Sequence, residues 1–310
     1  MKYKNKTFLI TGGSGELGTE FLKSLINNID LKDNKIIVLS RNPMKNTIIS
    51  EFVANQKITI IKCDLSDLDK LEKIKTKIKG TTTLIHLSAQ ITNNNDLSIA
   101  LNQIEFNSIS LLRLINSLPK IQHIIFSSSY FIYGGEGKDQ LTESSEAKLV
   151  NFYSLGKLSA EKILKVFGRT KNIPISILRF SSLYGSILYK ENFIHNCLIK
   201  AKANQKITIF GNGQKEKDYL FIEDAAKAIE LSLEKRANGT YNIGSSKSFS
   251  LTEIANLAVK ITKSNSKIVT IPGNQKNLYF NLICKKAEDD LGFKPTFSIE
   301  EGMKTIIGSL

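Results

Sequence analysis

The sequence has little of what builds disulfides and metal sites. Its 310 residues hold three cysteines, Cys63, Cys197 and Cys284, far apart and without a C-x-x-C pair. An odd, scattered set suits a reducing compartment and argues against a disulfide framework or a zinc site. Each is expected to act as a small buried hydrophobe. The three histidines, His86, His123 and His195, are equally dispersed, and His86 and His123 fall in apolar strand-like runs. None is expected to be a ligand or catalyst, and no metal is expected. Long hydrophobic runs are missing: nothing approaches the roughly 20 apolar residues of a membrane helix. At the N-terminus, Met1 to Lys6 leads straight into Thr7-Phe8-Leu9-Ile10 and then glycines. That stretch lacks the longer apolar region and cleavage site of a signal peptide, so a cytoplasmic protein without a membrane partner is expected. Internal repeats and low-complexity linkers are absent too. Acidic residues are in deficit, 29 against 43 lysines and arginines, for a net charge of +14. The lysines are spread along the whole chain among Asn and Ile, so nucleic acid is not the expected partner. An anionic small molecule would benefit from the same positive field.

The remaining composition, 41% hydrophobic and 23% charged, is that of a globular protein able to bury a sizeable core. The first half alternates strand-like and helix-like segments. Apolar, β-branched runs occur at Thr7–Ile10, Lys35–Leu39, Ile58–Ile61, Thr83–Leu87 and Ile121–Phe126. Between them, Leu68-Leu71-Ile74-Ile78 and Ile104-Ile109-Leu112-Ile115 recur near the helical period. Two later strands are predicted at Ile175–Phe180 and Thr240–Ile243. This alternation predicts an α/β fold with a doubly wound, Rossmann-type parallel sheet. Ser250-Leu251-Thr252-Glu253 and Ser298-Ile299-Glu300-Glu301 read as capping boxes opening helices. The expected division is a nucleotide-binding domain of residues 1–184 and 215–248. A smaller C-terminal α/β domain, 185–214 and 249–310, is expected over the sheet's carboxyl edge to bind substrate.

Thr11-Gly12-Gly13-Ser14-Gly15-Glu16-Leu17-Gly18 follows the first strand and opens a helix. Glycines there let the backbone turn sharply and approach a pyrophosphate seated on the helix N-terminus. The second strand ends Val38-Leu39-Ser40-Arg41, without the acid that would hold the ribose 2′-hydroxyl of NAD. Ser40 and Arg41 suit a 2′-phosphate, which favours NADP over NAD.

Tyr153-Ser154-Leu155-Gly156-Lys157 puts Tyr and Lys four apart, on one helix face. Bringing a phenol from about pH 10 to neutrality takes about 4 kcal/mol. An ammonium about 4 Å away supplies about 4 kcal/mol at an effective dielectric near 20. Upstream, Phe126-Ser127-Ser128-Ser129 leaves a strand, and Ser129 could bond the substrate oxygen and share its proton with Tyr153.

Together these segments resemble the extended short-chain dehydrogenase/reductases, specifically the NAD-dependent epimerase/dehydratase family. The likeness covers nearly the whole chain. It takes in Cys63-Asp64-Leu65, Ile85-His86-Leu87-Ser88-Ala89, Asn107, Leu178-Arg179-Phe180 with Tyr184-Gly185, and Phe210-Gly211-Asn212-Gly213. It continues through Lys217-Asp218-Tyr219, Ile222-Glu223-Asp224, Tyr241-Asn242-Ile243-Gly244 and Leu291-Gly292-Phe293-Lys294-Pro295. The resemblance implies that Asp64 and Leu65 contact adenine, Ala89 lines the cofactor and Asn107 supports the active-site helix. It implies a nucleotide-sugar substrate, with Ser182 and Lys217 at positions where the family has substrate-binding Asn and Arg. Asn281 stands where the family has an acid. A homodimer through helices near Leu97–Leu118 and Tyr153–Phe167 is also implied.

The expected activity is a sugar-nucleotide epimerase, acting at carbon 4 of the sugar through a transient ketone. An NADPH-dependent reductase of a keto-sugar nucleotide is the alternative. A basic RNA-binding or structural subunit on the same fold is a third, against which the presence of Tyr153 and Lys157 argues. Dehydratases of the family carry Asp-Glu after the active-strand hydroxyl. Here Tyr130 and Phe131 follow Ser129, leaving Glu136 as a carboxylate that could come from elsewhere.

Overall fold

The computed structural model describes residues 3–42, 47–91, 96–135, 140–185, 192–273 and 278–309. The strands are β1 (Thr7–Thr11), β2 (Lys35–Ser40), β3 (Thr59–Lys62), β4 (Thr83–His86), β5 (His123–Ser129), β6 (Gln140–Leu141) and β7 (Ile175–Phe180). They continue with β8 (Ser182–Tyr184), β9 (Ile207–Phe210), β10 (Glu216–Phe221), β11 (Gly239–Ile243), β12 (Ser248–Ser250), β13 (Ile268–Ile271) and β14 (Asn281–Leu282). The α-helices are α1 (Glu16–Asn28), α2 (Thr47–Ala54), α3 (Leu68–Ile78), α4 (Leu97–Ile104), α5 (Ser110–Asn116) and α6 (Phe152–Lys171). After them come α7 (Phe193–Lys202), α8 (Ile222–Glu234), α9 (Leu251–Thr262), α10 (Lys285–Leu291) and α11 (Ile299–Ser309). A π-helical turn, Glu105–Ile109, joins α4 to α5.

The chain forms two compact units: Met1–Ile132, Leu149–Arg179 and Ala226–Tyr241 in one, Tyr133–Lys148, Phe180–Ala225 and Asn242–Leu310 in the other. The first is built on a seven-stranded sheet of order β11-β7-β5-β4-β1-β2-β3. The pairs β1–β2, β2–β3, β1–β4 and β4–β5 are parallel. The order reverses between β1 and β4, so the loops leaving those strands diverge and open a crevice at their carboxyl ends. The expected parallel sheet is therefore present, its strands within two or three residues of the predicted runs. β5 runs on through Ser129, past Phe126 where the apolar run stops.

The central strands β1, β4 and β7 are short and fully or almost fully buried, which fits burial on both faces. Leu71, Ile74 and Ile78 of α3, Leu111 and Leu114 of α5, and Ala160 and Leu164 of α6 share one core with Leu9, Leu84, Ile124 and Phe126 of the sheet. Helix α6 begins with a reciprocal cap: Asn151 Oδ1 accepts from the Ser154 amide and Ser154 Oγ receives the Asn151 amide. Such a cap is worth about 1 kcal/mol and fixes where the helix starts, hence which residues it turns inward.

The second unit has its own core, in which Tyr184, Ile194, Leu198, Ile254, Ala258 and Met303 are buried together. Both predicted capping boxes are present, Ser250 with Glu253 opening α9 and Ser298 with Glu301 opening α11. The unit boundary departs from the expected domain boundary. Residues 180–184, 215–225 and 242–248 fall in the second unit, where β10 pairs with β8 and β12 in a separate three-stranded sheet. Tyr133–Lys148 joins the second unit as well, through β6 pairing with β14.

Candidate active site

The turn after β1 is made by glycine. Gly12 has φ +71°, and a Cβ on it would meet the Ser88 amide nitrogen at 2.7 Å. A Cβ on Gly18 would fall 2.2 Å from the Gly12 carbonyl oxygen, so only glycine lets α1 start this close to the turn. Gly15 caps α1 without any side-chain hydrogen bond, leaving the first amides of the helix to an anion. The turn borders a cavity of about 330 Å³, lined by Gly12, Gly15, Ser40, Arg41, Leu65 and Ala89, among others. Among the described residues no carboxylate lines it. Ser14 Oγ and Ser40 Oγ are 2.7 Å apart across the gap between β1 and β2. Exposed Arg41 lies with its guanidinium carbon 5.1 Å from the centre of the Phe106 ring.

Six of the sequence-predicted cofactor residues thus share one cavity. Glu16, Leu17, Gly18, Asp64 and Asn107 do not line it. Glu16 and Leu17 occupy the first turn of α1. Glu16 has one carboxyl oxygen buried without a partner, and burial pushes its pKa up to about 7. Asp64 accepts from the Ser66 amide and hydroxyl in a tight turn. Asn107 lies in the π-turn, where it accepts from the Gln90 amide and donates to the Gln90 carbonyl, both at 2.9 Å. It also backs onto α6: a Cβ on Gly156 would sit 3.0 Å from that of Asn107.

Tyr153 and Lys157 lie on the buried face of α6, with 7% and 1% of their surfaces exposed. Ser129, at the end of β5, is 6% exposed and acts on the Tyr153 phenol, favouring its ionised form. The Phe131 ring meets Tyr153 edge-on, centroids 6.5 Å apart. Lys157 Nζ donates to the Ser127 carbonyl at 2.7 Å and sits 4.7 Å above the Phe126 ring. The electrostatic balance differs from the one the spacing predicts. Burial raises the Tyr153 phenol to about 12, and the opposing influence is the Ser129 hydroxyl rather than an ammonium. Lys157 is itself brought down to about 7 by burial, with Glu161 pulling the other way. The lysine is directed at the β5 backbone and so is not spent on the phenol.

Ser182 and Lys217 lie on adjacent strands of the second unit's three-stranded sheet, Ser182 opposite Tyr219. Burial, helped by the charge of Lys215, brings Lys217 down to about 8. Glu136 lies outside the described residues.

The cysteines are free and buried. His86 hydrogen-bonds Thr11 Oγ1 at 2.9 Å and stacks on Phe126, and burial holds it near pKa 3. His123 bonds Ser176. Among the described residues no group of His, Cys, Asp and Glu is arranged to hold a metal, and no helix is long and apolar enough to cross a membrane. Reading by residue type missed three participants. Phe106 gives no signal in the sequence. Glu161 and Ser128 bond one another at 2.5 Å, and Glu161 could have been found as the next four-residue step after Tyr153 and Lys157.

The sequence profile of the NAD dependent epimerase/dehydratase family matches residues 8–244. The chain belongs to that family. A Methanocaldococcus jannaschii protein provisionally named UDP-glucose 4-epimerase is 29% identical over 309 residues, covering 96% of each chain. The fold is shared with UDP-glucose 4-epimerase of Thermotoga maritima, solved with UDP-glucose, at TM-score 0.86, 24% identity and 97% coverage of both chains. It is shared equally with dTDP-glucose 4,6-dehydratase of Bacillus anthracis, solved with NAD, at TM-score 0.84 and 20% identity, covering 98% of this chain and 96% of that one. The family is one of NAD-dependent enzymes, and the glycine cradle, the uncapped helix and the carboxylate-free cavity fit a dinucleotide.

Proposed function

We propose that this enzyme is a sugar-nucleotide epimerase that inverts carbon 4 of the sugar through a transient ketone. The observation that carries the reading is the pair of hydroxyls, Ser129 at the end of β5 and Tyr153 on α6. Ser129 acts on the Tyr153 phenol and Phe131 faces it, so the groups there suit proton transfer at one carbinol and not loss of water. Tyr153 takes and returns the hydroxyl proton, Ser129 bonds the same oxygen, and Lys157 holds the β5 backbone against α6. The bound dinucleotide supplies a hydride acceptor and donor. Gly12, Gly15, Glu16, Leu17 and Gly18 hold its pyrophosphate, Asp64, Leu65 and Ala89 its adenine and ring surroundings, and Asn107 the helix that presents Tyr153. Ser40 and Arg41, with no carboxylate beside them, favour NADP over NAD. The second unit binds the nucleotide sugar, with Lys217 and Ser182 contributing.

Tyr153→Phe is expected to lower kcat by about a thousandfold while cofactor affinity stays within a few-fold. Kinetics and titration calorimetry check this; activity within threefold of wild type would sink the assignment. Product analysis by mass spectrometry and NMR, with UDP- and dTDP-glucose and UDP-N-acetylglucosamine, is expected to show an isomer of unchanged mass. Efficient formation of a product lighter by one water would make the enzyme a dehydratase.

A further inference from the structure

Tyr153, Lys157 and Glu161 follow one another at four-residue steps and form one buried stripe on α6. β5 answers the stripe residue by residue. Ser129 acts on the Tyr153 phenol, the Ser127 carbonyl and the Phe126 ring hold Lys157, and Ser128 Oγ donates to Glu161 Oε1 at 2.5 Å. Glu161 is wholly buried and takes both arms of a second side chain. Arg179 Nε donates to Oε1 at 3.0 Å and an Arg179 terminal nitrogen to Oε2 at 2.7 Å. A buried carboxylate gripped in this way is fixed in position.

Lys157 is a buried cation that donates to a carbonyl oxygen and lies over a ring face. The titratable groups that face it are few. On its own helix they are Tyr153 and Glu161. From β4 comes His86, which burial and Lys157 itself keep neutral. β5 offers only Phe126 and Ser127, and β7 reaches the stripe through Arg179 on Glu161. Glu161 is thus the negative charge one helical turn beyond the lysine, and the one influence that opposes desolvation of its ammonium.

We propose that Glu161, clamped by Arg179 and Ser128, is a positioning residue that keeps Lys157 charged and aimed at the Ser127 carbonyl. Its catalytic consequence rests on the reading of Tyr153 and Lys157 as the working pair. A purely structural ion pair would serve folding and leave the ionisation of Lys157 where it is.

The sign is definite. Removing the negative charge makes the lysine lose its proton at lower pH, so any step that needs the ammonium fails earlier as pH rises. The test uses cofactor-free protein labelled with ¹³C-lysine, in which the Cε resonance missing from Lys157→Met is followed by NMR against pH. Glu161→Gln is expected to lower the Lys157 midpoint so that proton affinity falls about tenfold, and to move the alkaline limb of kcat/KM by the same amount. Arg179→Met, which leaves the Glu161 carboxylate without its cation, is measured alongside and is expected to move the midpoint up. An unchanged midpoint in folded Glu161→Gln, or a lowered one in Arg179→Met, would overturn the proposal. A lowered midpoint with an unmoved alkaline limb would uphold Glu161 as the determinant of the Lys157 charge and refute the catalytic reading of Lys157.

Discussion

Arg41 combines two jobs that the sequence shows only one of. Its place after β2 marks it as a candidate for a 2′-phosphate, but its seat over the Phe106 ring is visible only in three dimensions, because 65 positions separate the two. A guanidinium stacked on an aromatic face is held in place while its N–H groups stay available. NADP is therefore expected to bind more tightly than NAD, and Arg41→Ala to shrink that difference by roughly tenfold. Calorimetric titration with both dinucleotides measures it, and an unaltered preference would make Arg41 a bystander. Tyr153, Lys157 and Ser129 were legible because the chemistry restricts residue type and the helix fixes spacing. The direction of Lys157 was not. Spacing places it on the right face, whereas the choice between the phenol and the Ser127 carbonyl depends on how deeply both are buried.

Between helices, the contact that matters is made by a residue with no side chain. Gly156 lies between Tyr153 and Lys157, and a Cβ there would press on Asn107 Cβ at 3.0 Å and the Gln103 carbonyl at 3.3 Å. Alanine gains about 1 kcal/mol in helix propensity, which offsets that crowding, so Gly156→Ala is expected to be close to neutral. Gly156→Val adds two branches where there is no room. It is expected to cost about 1–3 kcal/mol and, by displacing α6, to lower kcat between roughly tenfold and a hundredfold. Thermal melts and kinetics on both variants decide; a valine variant as active and stable as wild type would show that the two helices are not in register through this point. The long elements were readable from periodicity. The π-turn at Glu105–Ile109 was not, since a single inserted residue leaves the apolar spacing of the flanking turns nearly intact. β6, β8, β12 and β14, of two or three residues each, are too short to show alternation, and the small sheets they make escaped the sequence for that reason.

The alternating order of the first half made the parallel sheet predictable, because a strand followed by a helix can return only to a parallel neighbour. The partition of the second half was less so, since β10 looks like any other strand until its partners are known. One exposed feature has an economical explanation: Leu97 and Leu101 of α4 and Leu112 of α5 present apolar side chains that are 78%, 73% and 43% exposed. Exposed apolar side chains on neighbouring helices mark contact surfaces, and a homodimer through these helices is the proposed occupant. Light scattering is expected to give twice the 34.6 kDa chain mass, and Leu101→Glu to return the mass to that of one chain; a monomeric wild type would remove the dimer from the proposal. The strand order β11-β7-β5-β4-β1-β2-β3 also has a consequence for synthesis. On the ribosome β1 to β5 emerge first and can pair among themselves, but β5 then ends the growing sheet with His123-Ile124-Ile125-Phe126 along an open edge until Ile175–Phe180 has left the exit tunnel. A nascent chain stalled near residue 170 is expected to bind a hydrophobic-segment chaperone strongly and one stalled beyond residue 220 weakly, a contrast that crosslinking of arrested ribosome complexes would read directly.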